Sequence, residues 1–185
     1  MKTRNLKYSL LPAIAILVLS ITSCQKIKDA AQFDLLYNVP ESTITVDSVI
    51  VQHAGNEVLI LAKTISINLD SIKRKHNLSA FKDAKFDFIR LLADQPENMN
   101  LDWIKTLRAT VTAPGISETD VASYTAAAPT GKPSLDMVIG GNSITSFMME
   151  QNFTLKIYIE VTPPLPADVM KVLLDSRIRI TVQPI

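Results

Sequence analysis

Nine consecutive residues, Phe153-Thr-Leu-Lys-Ile-Tyr-Ile-Glu-Val161, alternate without a break between apolar and polar or amphipathic side chains. A helix built from them would scatter its apolar groups around the whole cylinder. A strand places Phe153, Leu155, Ile157, Ile159 and Val161 on one face and Thr154, Lys156, Tyr158 and Glu160 on the other. The segment therefore predicts a β-strand with one face in a core and one in water, and a fold that supplies a second layer to cover it.

The same period recurs. Arg177–Val182 and Leu107–Ala113 alternate in the same way, the latter closed by Pro114-Gly115. Ile44–Val51, Val58–Leu69 and Ala84–Leu92 are further strand candidates. Phe33–Val39, closed by Pro40, and Leu135–Ile139, closed by Gly140-Gly141, are weaker ones. Helical signals are short. Asn68-Leu-Asp-Ser-Ile-Lys73 and Asn100-Leu-Asp-Trp-Ile-Lys105 agree at five of six positions, each with an Asn able to cap and an Asp in the first turn. Ser143–Gln151, entered from Asn142, predicts a third short helix with Ile144, Phe147 and Met148 inward. Gly115–Pro133 reads as a long loop. The expectation is an all-β chain: an antiparallel β-sandwich of about seven or eight strands with two or three short helices.

The N-terminus is of another kind. Lys2, Arg4 and Lys7 precede the apolar run Leu10–Leu19, and no acidic residue occurs before Asp29. A ten-residue apolar run is too short for a span that needs about 20 helical residues. Ile21-Thr-Ser-Cys24 then resembles the bacterial lipobox, and Cys24 is the only cysteine in the chain. The resemblance implies a lipoprotein signal peptide at 1–23, cleavage before Cys24, acylation of Cys24, a lipidated tether at 24–32 and a β-sandwich domain at 33–185. Several acyl chains hold a protein to a bilayer far more firmly than one. Gln25 after the cysteine, and the lack of an acidic cluster behind it, favour by resemblance an outer-membrane anchor facing the periplasm. Without the three basic residues of the signal, 16 basic side chains face 18 acidic ones, so the mature chain is slightly acidic. That balance argues against a nucleic-acid partner.

The turn Leu101-Asp-Trp-Ile-Lys105 leading into a strand that ends Thr112-Ala-Pro-Gly115, and Phe153-Thr-Leu-Lys-Ile157 followed by a Pro-rich bend and a terminal strand, resemble small β-rich envelope lipoproteins of Bacteroidota. The resemblance covers about half of the mature chain and carries over no catalytic residue.

Chemistry-bearing motifs are sparse. His53 lies in a turn signal and His76 ends a basic run, Lys73-Arg-Lys-His76, of the kind that complements a helix C-terminus. Neither has metal-ligand spacing to a cysteine or carboxylate, and no Gly-x-Ser-x-Gly elbow or P-loop occurs. No cofactor or metal is expected. Asp83, Asp87, Asp94 and Glu97 form the one acidic cluster; Asp87, between Phe86 and Phe88, is expected to face away from both. Tyr124 in the loop, Tyr158 on a polar strand face and Trp103 beside a turn are the candidate ligand contacts, with Trp103 better placed as a core plug. The leading expectation is a non-catalytic lipid-anchored envelope protein that binds a partner protein or a glycan. Two alternatives stand beside it. One is a carbohydrate- or lipid-handling enzyme using the acidic residues of 83–97. The other is a structural subunit, which would show no concave surface.

Overall fold

A computed structural model describes residues 32–47 and 56–185; Cys24, His53 and the end of the Ile44–Val51 candidate lie outside them. The described chain is mostly strand, in two antiparallel sheets with two short helices. The elements in order are β1 (Phe33–Asp47), β2 (Val58–Ser66), α1 (Leu69–His76), β3 (Leu78–Gln95), β4 (Ile104–Ala113), β5 (Ile116–Thr125), β6 (Ser134–Asp136), β7 (Val138–Ile139), α2 (Thr145–Met149), β8 (Asn152–Val161) and β9 (Val169–Pro184). One sheet has the order β1-β9-β3-β6 and the other β2-β8-β4-β5-β7. This is the expected all-β sandwich, with nine strands among the described residues.

Periodicity explains the layers. Along β8 the buried residues are Phe153, Leu155, Ile157, Ile159 and Val161, as the alternation requires. Along β9 they run from Met170 to Val182 in steps of two. β3 obeys the rule only piecewise. Its buried residues are Leu78, Phe81, Ala84, Phe86, Ile89 and Leu91. Each step of three coincides with a shift of register against β9, at Leu78/Ala80, Phe81/Asp83 and Phe86/Phe88. A bulge inserts one residue and so restores the inward face after an odd step. That is why only Ala84–Leu92 reads as a strand in the sequence, although β3 is 18 residues long.

Several expectations are corrected. Phe33–Val39 and Ile44 onward belong to one strand, β1, because Pro40 sits in a bulge of an edge strand, where its missing N–H breaks no ladder. Gly115–Pro133 is not one loop: Pro114-Gly115, with Gly115 at φ +75°, turns the chain directly into β5. β5 is polar and escapes a hydrophobic reading because only Val121 and Ala122 in it are buried. Leu135–Ile139 is two strands in different sheets, switching at buried Met137 and closing that side of the sandwich.

The two six-residue matches fold differently. Asn68 caps α1, its side chain accepting a bond from the Ser71 amide at 2.8 Å, and Asn77 ends the helix at φ +50°. Asn100–Trp103 forms only a turn before β4. The third predicted helix is present as α2 with Ile144, Phe147 and Met148 buried. Asn142 does not cap it, however; the Asn142 side chain donates instead to the Asp120 carbonyl at 2.8 Å.

The edge formed by β1 and β2 is held by Lys63. It lies opposite Leu155, at an inward position of an edge strand, and its ammonium donates to the carbonyls of Pro40 and Glu41 in the bulge of β1. Burial lowers its pKa. An inward-pointing lysine also protects an open edge from pairing with another chain.

Register defines two ends. Phe33 pairs with Val182, which pairs with Phe81, and Leu78 pairs with Pro184. The start of β1, the helix α1 and the start of β3 therefore share one end, here the Phe33 end. Asp47 pairs with Val169, Gln95 with Lys171, and Ile104 with Val161. These, with Trp103, form the opposite end.

Candidate functional site

Polar side chains gather in three places. On the outer face of the β8 sheet, Tyr158 and Lys156 project beside Arg108 and Thr110 of β4 and meet Glu118 and Asp120 of β5. Glu118 accepts from Lys156 at 2.5 Å, Thr110 at 2.7 Å and Tyr158 at 2.9 Å. The Lys156 bond, then the Thr110 hydroxyl, hold its pKa down at about 2 despite partial desolvation. Arg108 binds Glu57 at 2.7 Å and Asp120 at 3.2 Å and stacks on Tyr158, 4.3 Å from the ring centre. Its pKa is raised, chiefly by Glu57. Tyr158 is displaced upward, by desolvation first and then by Glu118. Each charged side chain of this cluster has an opposite partner, which makes it a fastening across β4, β5 and β8. Tyr158, a contact candidate, does stand on the polar face, but its hydroxyl and its ring are both taken.

On the outer face of the other sheet, Asp87 is clamped by Arg177 at 2.5 Å and by Arg179. The Arg177 guanidinium also lies 5.0 Å from the Phe88 ring centre. The bulge at Phe86/Phe88 puts Asp87 and Phe88 beside the same arginine, so Asp87 does not face away from both phenylalanines; Phe86 alone turns inward. Hydrogen bonds from Arg177 and then Arg179 depress the pKa of Asp87. Asp83 pairs with Lys85 at 3.0 Å and accepts from Ser143 at 2.6 Å, and its pKa is lowered although desolvation opposes this. Both carboxyl groups are thus ionised near neutrality, the wrong state for a general acid. Among the described residues no group of three His, Cys, Asp or Glu side chains is placed to hold a metal ion.

The third place is the Trp103 end. A pocket of about 350 Å³ lies between the 100–103 turn and the Pro-rich bend after β8, and one of about 290 Å³ lies between the start of β4 and the 126–129 loop. Asp102 and Thr162 border both, so the two adjoin across these residues and form a shallow, open groove in two parts. Trp103, Leu165, Pro164, Pro166 and the Ala126–Ala128 run give it an apolar lining. Asp102 supplies its scaffold. The carboxylate accepts from the amides of Thr130 at 2.7 Å and Gly131 at 2.8 Å, and these backbone bonds lower its pKa. Strand-like bonds complete the frame: Thr162 N–H to Trp103 O at 2.8 Å and Ala126 N–H to Lys105 O at 2.9 Å.

Trp103 itself is 5% exposed, and its indole N–H donates to the Asn100 carbonyl at 3.0 Å. It is a core plug, as its apolar neighbours suggest, whose exposed margin borders the groove. Tyr124 is on β5 rather than in a loop; it pairs with Leu107, is half-buried and packs partly against the core. His76 ends α1 and is exposed. Sequence reasoning missed the groove. Its one visible signal was the proline cluster at 163–166; the alanine loop carries no chemistry of its own. No protein-family model matches the chain, and no curated protein matches it.

Proposed function

We propose that this chain is a lipid-anchored envelope protein whose sandwich serves as a binding module, attached through Cys24 to the outer membrane on its periplasmic side. Its partner is an envelope protein or a glycan, received in the groove at the Trp103 end. The observation that carries the reading is the placement of that groove relative to the anchored terminus. The tether 24–32 enters the fold at Phe33, and the groove lies at the other end of the sheets, beyond the 15 residues of β1. At about 3.3 Å per residue, twist shortening it somewhat, β1 separates the two by roughly 40–50 Å. A module held by acyl chains at one end thereby offers its concave surface away from the bilayer. The groove's form also suits binding, with apolar walls and a few fixed polar groups. A spacer would need no such surface.

Two measurements test this. Metabolic labelling with a palmitate analogue should mark the parent chain and not Cys24→Ala; equal labelling of both overturns the anchor. A photo-crosslinking residue at Leu165 should capture a partner in cells, whereas the same residue at Lys171, on an outer sheet face, should not. No adduct at Leu165, with anchoring intact, overturns the groove as the binding surface.

A further inference from the structure

The charge of the mature chain is unevenly placed. Helix α1 carries Lys73, Arg74 and Lys75 against Asp70, and the tether carries Lys26 and Lys28 against Asp29. The rest of the mature chain is left with eleven basic and sixteen acidic residues. The basic excess of a slightly acidic protein is therefore held by two segments. Register brings α1 to the end of the sandwich at which the chain enters β1. Lys73 lies 5.4 Å from the ring centre of Phe81, and Phe81 and Phe33 are both partners of Val182. Two strand spacings of about 4.8 Å thus separate the rows from which the helix and the tether emerge. Arg74, Lys75 and His76 are exposed, and none of them is in an ion pair among the described residues. The other lysines and arginines on strand faces mostly have carboxylate partners, as Arg108, Lys156 and Arg177 do. The cap bonds at Asn68 and Asn77 fix the helix so that its basic last turn projects.

We infer that the Phe33 end is an electrostatic seat for anionic phospholipid headgroups, with Arg74 and Lys75 of α1 as its principal contacts. The inference rests on the anchored reading above. Nine residues from Cys24 to Phe33 reach at most about 30 Å, so an acylated Cys24 keeps this end, and not the groove end, near the bilayer. Headgroup phosphates attract the basic turn within a Debye length of about 8 Å, and they repel the acidic remainder of the molecule. Each Lys or Arg near such a surface adds about fivefold in affinity. The seat would hold the sandwich upright on its tether and keep the groove clear of the membrane.

The test uses the full chain purified from membranes and reconstituted on vesicles of phosphatidylcholine alone or with added phosphatidylglycerol. Bromolipid quenching is read from a fluorophore at Ser71→Cys on α1 and, as a control, at Ala127→Cys in the far loop. On the anionic vesicles the α1 probe should be quenched several-fold more than the control. The excess should fall to the control level in R74Q/K75Q and in high salt, with an unchanged circular dichroism spectrum. Equal quenching on both vesicle types, or no effect of R74Q/K75Q, overturns the seat and leaves the anchor standing. If mass spectrometry finds no acyl group on Cys24, the anchor fails instead. The seat is then decided by flotation of the same chain: retention on anionic vesicles that R74Q/K75Q loses supports it, and no retention overturns it.

Discussion

The two ends of this sandwich are closed by different means. At the Phe33 end, α1 passes from one sheet to the other and α2 packs against strands of both. α1 is closed locally by an Asn side chain at its start and a left-handed Asn at its finish, and α2 inserts Phe147 and Met148 into the core. At the Trp103 end no helix forms among the described residues. A turn, an alanine loop and a proline bend lie side by side, joined by one carboxylate and a few backbone bonds. A helix satisfies its own backbone and leaves its side chains to project, which yields a charged end. Loops must borrow partners from one another, and the space between them becomes a groove. Projecting charge at one end and a partly apolar groove at the other thus follow from how each end satisfies its hydrogen bonds.

Variants can break this contrast. The largest effect is expected from Trp103→Ala, which removes a buried plug under the groove and should cost about 3–5 kcal/mol in urea unfolding. A loss below about 1 kcal/mol would mean that the groove end hangs on the core without being part of it. Glu118, in the sheet between the ends, serves as a reference. Its folded pKa of about 2 lies below the ordinary 4.5, so its stabilisation is complete above about pH 5 and disappears as pH falls toward 2. Converted in full the shift would be about 3 kcal/mol, but the pair is partly exposed and screened, and about 1 kcal/mol is expected. Glu118→Gln should be less stable than the parent by that amount at pH 7 and equal to it near pH 2; a difference that persists at low pH would assign the effect to packing.

Asn68→Ala should cost about 1 kcal/mol by loss of the helix cap. Amide exchange should speed up in α1 alone; a matching change at the groove would show that the ends are coupled. Asp102→Ala should leave the unfolding midpoint in place. It should raise exchange at the Thr130 and Gly131 amides by about tenfold, because only the loop's attachment is lost. Protection that stays unchanged would mean that the Leu101 amide bond to Lys132 and its neighbours suffice to hold the loop.

Legibility varied with how local each feature is. β8, the end of β9 and β4 could be read because an uninterrupted period of two needs no knowledge of partners. α1 could be read because its cap and first turn are neighbours in the chain. Asn100–Lys105 has nearly the same residues, yet Trp103 is drawn into the core and Ile104 into the β4 ladder, so tertiary pairing overrides the same local signal. Asp87 was placed on the polar side but given the wrong relation to Phe88, because a bulge depends on the partner strand. Tyr158 was seen as outward-facing, while its partner Glu118 was hidden in a strand too polar to be recognised.

The residues alone thus prescribed alternating strands and a capped helix, and hence a two-layer β architecture, and they set a basic, apolar N-terminal segment ahead of a lone cysteine. Long-range pairing decided the rest. Partners 147 residues apart, such as Thr181 and Asp34, bring the start of β1 beside α1 and leave the groove at the far end. The physical reason is that periodicity is written into successive side chains. The shape of an end arises instead from backbone groups that find partners only after both sheets have closed.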